Sequence, residues 1–318
     1  MKGQNVFMKG LELSKAYYEA FGKQMIHDKF PELEKEIAIG LVGSGSECYG
    51  YDDEISKDHD FEPGFCMFVP PYFDEKTIFK LERAYASLPN EFLGYKRRKL
   101  TPIDEMKYGV IRIDEFYKNK IGYAFGFETL TDWLKVEEFY ILEATNGEVF
   151  KDDLGVFSIV RNNLKNIPQD VILKKLAGNL FLMHQSGMYN FTRMIQRNDL
   201  SGAQVSLFEF VKHAINCIYL LNNTLMPYYK WMFKGLDNLT LLNDLKNDLS
   251  FLILNNNDKE TIIKKQELIS SISERIINEL IDKNYTKEKC NNLDTHAYSV
   301  NNQIKDPELR NLNILQGV

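Results

Sequence analysis

The residues with the clearest chemical potential lie between positions 42 and 61. An apolar stretch, Ile37-Ala38-Ile39-Gly40-Leu41-Val42, runs into Gly43-Ser44-Gly45-Ser46, and Asp58-His59-Asp60 follows shortly after. Glycines let a backbone approach a ligand closely and adopt positive φ. Consecutive free N–H groups and serine hydroxyls can hold phosphate oxygens. If Asp58 and Asp60 lie in extended chain, their side chains point to one side with Cα atoms about 7 Å apart. Two carboxylates converging there repel, unless a divalent cation joins them. Hard oxygen ligands favour Mg²⁺, with Mn²⁺ as a substitute; Mg²⁺ is held by one or two carboxylates and substrate phosphates. A buried strand, a Gly-Ser loop and an Asp-x-Asp pair therefore describe a site for a nucleoside triphosphate (NTP), with the loop on the polyphosphate and the aspartates on the metal. His59, between the aspartates, points away from them and is expected to pack.

These residues need a scaffold. The run 37–42 is short, apolar and followed by glycine, as expected of a strand buried on both faces. Phe65-Cys66-Met67-Phe68-Val69, closed by Pro70-Pro71, is a second such strand, and Tyr108–Ile113 a third. Helical patterns over Leu11–Gly22 and Glu75–Leu88 alternate with them. From about Pro168 the pattern turns helical. Leu207, Val211, Ala214, Ile215, Ile218 and Leu221 form one stripe, and Leu268, Ile269, Ile272, Ile276 and Leu280 another. The expected fold class is α+β: a small mixed sheet domain over residues 1–153, then an all-α bundle over 154–318. The boundary falls after the turn-like Thr145-Asn146-Gly147-Glu148. The chain from Tyr285 on is polar and Asn-rich and reads as a loosely packed tail.

Composition narrows the functions. The 318 residues are 44% hydrophobic and 26% charged, a globular balance. The net charge of −6 argues against nonspecific nucleic-acid binding, which depends on neutralising phosphates. The four cysteines, Cys48, Cys66, Cys217 and Cys290, form no CxxC pair, which fits a reducing cytoplasm. The first residues lack the apolar core and cleavage site of a secretory leader. No apolar run approaches the roughly 18 residues of a membrane span. A cytoplasmic protein with no membrane partner is expected, and the apolar helical half leaves room for a homodimer. Neither the Walker pattern nor the protein-kinase catalytic-loop pattern occurs.

The Gly-Ser and Asp-x-Asp segment resembles the signature of the nucleotidyltransferase (polymerase-β-like) superfamily. More narrowly, Gly45-Ser46-Glu47-Cys48 with Asp58-His59-Asp60 resembles the DUF4037 family. So do Gly187-Met188-Tyr189-Asn190-Phe191-Thr192-Arg193, Arg197-Asn198-Asp199, Leu221-Asn222-Asn223 and Pro227-Tyr228-Tyr229-Lys230-Trp231. The resemblance spans roughly residues 35–235. It implies a nucleotidyltransferase domain followed by a helical domain. It also implies transfer of a nucleoside monophosphate from an NTP to a hydroxyl of a small molecule or protein, with release of pyrophosphate. Such sites hold two metals about 3.5–4 Å apart. The superfamily pattern adds a third carboxylate on a later strand. Asp114 is the candidate, sharing a strand face with Arg112, while Glu115 lies on the opposite side. Retention of the fold as a nucleotide sensor without catalysis is the alternative.

Other residues carry two readings each. Tyr189, Arg193 and Arg197 recur every four residues; with Asn190 they make either a helix face paired with neighbouring carboxylates or one closing over the nucleotide, with arginine on phosphate. Lys230 and Asn222 read the same way. Lys96-Arg97-Arg98-Lys99 is a solvated face or a steering patch. Asp52-Asp53-Glu54 lacks the glycine and terminal glutamate of an EF-hand and reads as a solvated loop. His184, His213, Trp133 and Trp231 read as packing residues.

Overall fold

The computed structural model describes residues 8–58, 61–97 and 107–318; for Lys57 and Asp58 it describes the backbone alone. The chain divides into two compact units, Met1–Phe127 with Tyr140–Asn166, and Glu128–Phe139 with Ile167–Val318. The fold is α+β.

In the first unit α1 (Gly10–Tyr17) passes through a π-turn at Tyr18–Gly22 into α2 (Lys23–Lys29). The π-turn brings Gly22 against Phe65, whose ring a Cβ at position 22 would meet at 2.4 Å. Then follow β1 (Ala38–Leu41), β2 (Cys66–Val69), α3 (Glu75–Ala86), a hairpin of β3 (Glu91–Phe92) and β4 (Tyr95–Lys96), β5 (Gly109–Arg112) and α4 (Ile113–Ile121). Next come α5 (Glu138–Thr145), which counts with this unit from Tyr140 on, β6 (Glu148–Lys151) and α6 (Val156–Lys165). The main sheet has the order β5-β2-β1-β6. It is mixed: β1 is antiparallel to β2 and β6, while β2 and β5 run parallel.

Every residue of β1 and β2 is buried, because both sheet faces are covered. Ile39, Phe65, Met67 and Val69 pack with Tyr17, Tyr18, Leu81 and Tyr85 on one side. On the other, Phe68 stacks on Phe157 at 4.0 Å and meets Phe116 edge-on. Each such side chain contributes about 1.5–3 kcal/mol by leaving water. The continuous apolar runs in the sequence are the trace of this two-sided burial. Asp74 caps α3, accepting from the Thr77 N–H at 2.6 Å.

The second unit is helical: α7 (Gln169–Met183), a π-helical stretch His184–Phe191, α8 (Thr192–Gln196), α9 (Leu200–Leu221), α10 (Met232–Leu236), α11 (Lys246–Leu254), α12 (Lys259–Asp282), α13 (Leu293–Asn301) and α14 (Pro307–Asn311). The apolar stripes expected on α9 and α12 are buried. The polar tail expected to pack loosely does not: α13 packs on α7, and Leu293, His296, Ala297, Val300 and Leu309 are fully buried. α7 reaches the tail through two buried lysines. Lys174 donates to the Leu312 carbonyl at 2.8 Å, and Lys175 to that of Gly317 at 2.9 Å. No helix among the described residues is long and apolar enough to cross a membrane.

Candidate functional site

β1 delivers the chain into the Gly43–Ser46 loop. Gly43 and Gly45 have φ of 132° and 114°, a region that side chains rarely adopt. A Cβ at Gly45 would also meet the Glu47 carboxylate oxygens at 2.6 and 2.7 Å. Glu47 is buried beneath the loop and ion-paired with Lys107. Ser46 opens a short 3₁₀ turn, its carbonyl accepting from Tyr49 N–H at 3.2 Å and Tyr51 N–H at 2.8 Å. Among the described residues, the N–H groups of Ser44, Gly45 and Ser46 donate to no protein acceptor. The strand thus ends in three consecutive free amides, a nest suited to anions.

The loop is held from outside by residues that sequence reasoning missed. Ser44 Oγ donates to Glu143 Oε2 at 2.9 Å, and Lys120 Nζ lies 2.7 Å from both Ser44 Oγ and Glu143 Oε2. Asn146 takes both polar groups of Gly43: its Oδ1 accepts from the Gly43 N–H at 2.9 Å, and its Nδ2 donates to the Gly43 carbonyl at 2.7 Å. Glu143 and Asn146 are one helical step apart at the end of α5, so one face grips two successive loop residues.

The segment after the loop is more ordered than its acidity suggested. Asp52 is not solvated; it is 2% exposed and accepts from the Gly10 N–H at 2.7 Å, where the first turn of α1 favours a negative charge. Asp53 accepts from the N–H groups of Ile55 and Ser56 at 3.0 and 3.2 Å and so opens the 3₁₀ turn Ile55–Asp58. Asp58 thus closes a 3₁₀ turn, not an extended segment. Its side chain, and His59 and Asp60 altogether, lie outside the described residues.

Asp114 departs from the strand expectation. β5 stops at Arg112, and Asp114 stands in the first turn of α4. The segment Ile113–Ile121 carries acids in its first turn and Lys118 and Lys120 in its last, which complements a helix dipole, and this overrides the short alternation of Ile111-Arg112-Ile113. Arg112 turns to α3, donating to the Pro71 carbonyl at 2.7 Å and to Glu75 at 2.6 Å. Asp114 Oδ1 is buried without a hydrogen-bond partner, whereas Glu115 is exposed. Among the described residues no three His, Cys, Asp or Glu side chains are grouped to hold a metal.

Of the basic run, Lys96 pairs with Glu91 and Arg97 stacks on Tyr85 with 4.6 Å to the ring centroid, so both are tied to their own unit. Arg98 and Lys99 lie outside the described residues.

The remaining candidates belong to the second unit. Tyr189 is 52% exposed and carries Arg193 over its ring at 4.8 Å, with an Arg193 nitrogen 2.6 Å from the hydroxyl. The π-helical stretch beneath them lets Gly187 approach Phe210, whose ring a Cβ would meet at 2.3 Å. Asn190 is half-buried in that stretch; Arg197 and Lys230 are exposed, Lys230 lying 5.1 Å from the Trp231 ring. Asn222 is structural: its amide bridges the carbonyls of Ile218 and Leu241 and accepts from Thr240 and Leu241. Trp133 is buried. His184 is half-buried, with Nδ1 lacking a partner.

His213 is buried, with Nδ1 2.8 Å from Asn179 Oδ1. Burial, with a smaller contribution from Lys212, holds its pKa down at about 4. Glu209 lies 3.4 Å from Nε2, but its carboxylate is half exposed and does not offset that burial. Unfolded, the ring titrates near 6.5. Stability is therefore unaffected above that pH, falls between pH 6.5 and 4 by at most about 1.4 kcal/mol per unit, and levels off below. Urea unfolding at pH 7 and 4.5 checks this, and His213→Gln should remove that part of the slope.

Comparison with known proteins adds one family similarity. Residues 133–232 match the family model described as domain of unknown function, DUF4037. The matched stretch contains Glu143, Asn146 and Arg161, together with Tyr189, Arg193, Arg197 and Lys230; the Gly43–Ser46 loop and Asp58–Asp60 precede it. No curated protein matches the chain. Among solved structures, a nucleotidyltransferase-like protein from Exiguobacterium sibiricum is similar at 9% identity, covering 82% of this chain and 79% of its own, with a TM-score of 0.37.

Proposed function

We propose that the protein is a metal-dependent nucleotidyltransferase that passes a nucleoside monophosphate from an NTP to a hydroxyl of a small molecule or protein. The observation that carries the reading is the set of free amides of Ser44, Gly45 and Ser46 at the end of a fully buried strand, followed in the sequence by Asp58 and Asp60. Rigid amides preset towards an anion stabilise it without reorganising. Lys120, beside Ser44 Oγ, puts a cation at the loop's edge.

The donor set fits a divalent cation. Asp58 and Asp60 would hold it as hard oxygen ligands, and the unpartnered buried oxygen of Asp114 is a further carboxylate able to face positive charge. When bound, the cation neutralises the triphosphate and activates the attacking oxygen. The chain's own residues do the rest. The loop amides hold the polyphosphate, Ser46 offers its hydroxyl to the phosphate oxygens, and Asn146 keeps the backbone on both sides of Gly43 fixed. The acceptor oxygen bonds to the α-phosphorus, the bridge to the β-phosphate breaks, and the acceptor proton leaves to solvent or a nearby carboxylate. Arg193, Arg197 and Lys230 are assigned to the nucleotide or its acceptor on the strength of their exposure and charge, Tyr189 on its exposure, and Asn190 with them as its neighbour in the same helical stretch. Titration with the four NTPs, followed at the amides of Ser44, Gly45 and Ser46, tests the reading.

A further inference from the structure

The contacts of the Asn146-Gly147 turn reach both ends of the Gly43–Ser46 loop. At the entry, Asn146 pairs with both polar groups of Gly43. Gly147 lies so close to β1 that a Cβ there would stand 1.9 Å from the Leu41 carbonyl oxygen, with φ at 64°. At the exit, the Gly147 N–H donates to the Cys48 carbonyl at 2.8 Å. The turn is itself gripped by Arg161 of α6, whose Nη2 donates to the Asn146 and Gly147 carbonyls at 2.9 Å each. Arg161 is more than a surface cation: burial lowers its pKa from the usual guanidinium range.

A free peptide at a φ of 132° can rotate, and rotation at Gly43 would re-aim the amide that follows it. An amide side chain that accepts from the N–H and donates to the C=O of Gly43 ties the two peptide planes on either side of that residue, the second of which carries the Ser44 N–H; a single hydrogen bond would hold only one. We infer that Asn146 is a positioning residue: held by Arg161, it presets the direction of the Ser44–Ser46 amides and thereby sets affinity for the triphosphate. The inference rests on the nucleotide reading above. It adds a role for α5, β6 and α6, elements that carry no part of the Gly-Ser or Asp-x-Asp motif. Neither residue touches the nucleotide, so both act through the loop.

The test measures the affinity of full-length wild type, Asn146→Ala, Arg161→Gln and the double variant for Mg²⁺ plus the NTP that wild type binds best, at a temperature where circular dichroism shows each to be folded. Loss of two loop hydrogen bonds is expected to weaken Asn146→Ala by about tenfold and to move the Gly43 amide resonance. Arg161→Gln is expected to weaken binding by about threefold. The double variant should bind no more weakly than Asn146→Ala alone, because both act through one turn. Affinity within twofold of wild type in folded Asn146→Ala, or full additivity in the double variant, would overturn the inference. If Asn146→Ala does not fold, Arg161→Gln decides, and an unchanged affinity there overturns it. A wild type that binds no NTP is a different result: it overturns the nucleotide reading itself.

Discussion

Asp60→Asn is expected to lower NTP-dependent pyrophosphate release by about 10³-fold, and Asp58→Asn by a similar factor. The substitution keeps side-chain size and removes one negative charge. An amide oxygen is a weak ligand for a hard divalent cation, and the lost attraction acts on both the metal and the developing charge of the leaving group. A loss of that size corresponds to about 4 kcal/mol of barrier. The check is a coupled pyrophosphate assay with the best donor and a panel of hydroxyl acceptors. Unchanged melting of the free variants would show that the fold is intact. Residual turnover within tenfold of wild type would remove Asp58 and Asp60 from the chemistry. Nucleotide binding with no turnover in wild type would favour the sensor alternative.

Glu138→Ala should be the most destabilising single change in the second unit. Glu138 is 9% exposed and Lys175 2%, with their charged atoms 3.2 Å apart. Glu138 Oε2 also accepts from the Met226 N–H at 3.0 Å, and Lys175 also donates to the Gly317 carbonyl. Removing the carboxylate strands a buried ammonium and a backbone donor together. Breaking such a pair costs about 3–5 kcal/mol, or roughly 10 °C in Tm for a unit of this size. Replacing both partners by apolar residues of similar volume, Glu138→Leu with Lys175→Met, should recover most of the loss, because no unpaired charge remains. Urea unfolding measures both. A single-variant cost below about 1 kcal/mol would mean that Lys175 is solvated or re-paired.

The parts of the fold legible in the sequence are those whose signal is local. β1 and β2 stood out because burial on both faces demands unbroken apolar runs, and α9 and α12 because one face of each repeats at helical spacing. The Gly-Ser loop stood out because its two glycines have a conformational reason to be glycine. What stayed hidden was non-local. Nothing near Lys120, Glu143 or Asn146 announces a contact with residues 43 and 44, and nothing near Arg161 announces its grip on the Asn146-Gly147 turn, since those contacts form only when α4, α5 and α6 pack around β1. Asp114 reads as a strand residue because a two-residue alternation cannot show where β5 yields to α4. The tail after Tyr285 looked loose because its many asparagines obscure a few well-spaced apolar anchors, Leu293, Val300, Ile304 and Leu309. Lys174 and Lys175 were equally invisible, because burying a lysine depends on acceptors far along the chain, here at Leu312 and Gly317.

The claim that the Gly43–Ser46 loop receives a polyphosphate is tested most directly by amide NMR of the ¹⁵N-labelled protein titrated with each of the four NTPs and Mg²⁺. The account predicts saturable downfield shifts of the Ser44, Gly45 and Ser46 amides with at least one NTP, weakened in Asp60→Asn. The same titration should raise stability by about 2.7 kcal/mol at one hundred times Kd. Amides of Ser44–Ser46 that stay unmoved by all four NTPs at millimolar concentration, or that move no differently from the rest of the chain, would contradict it.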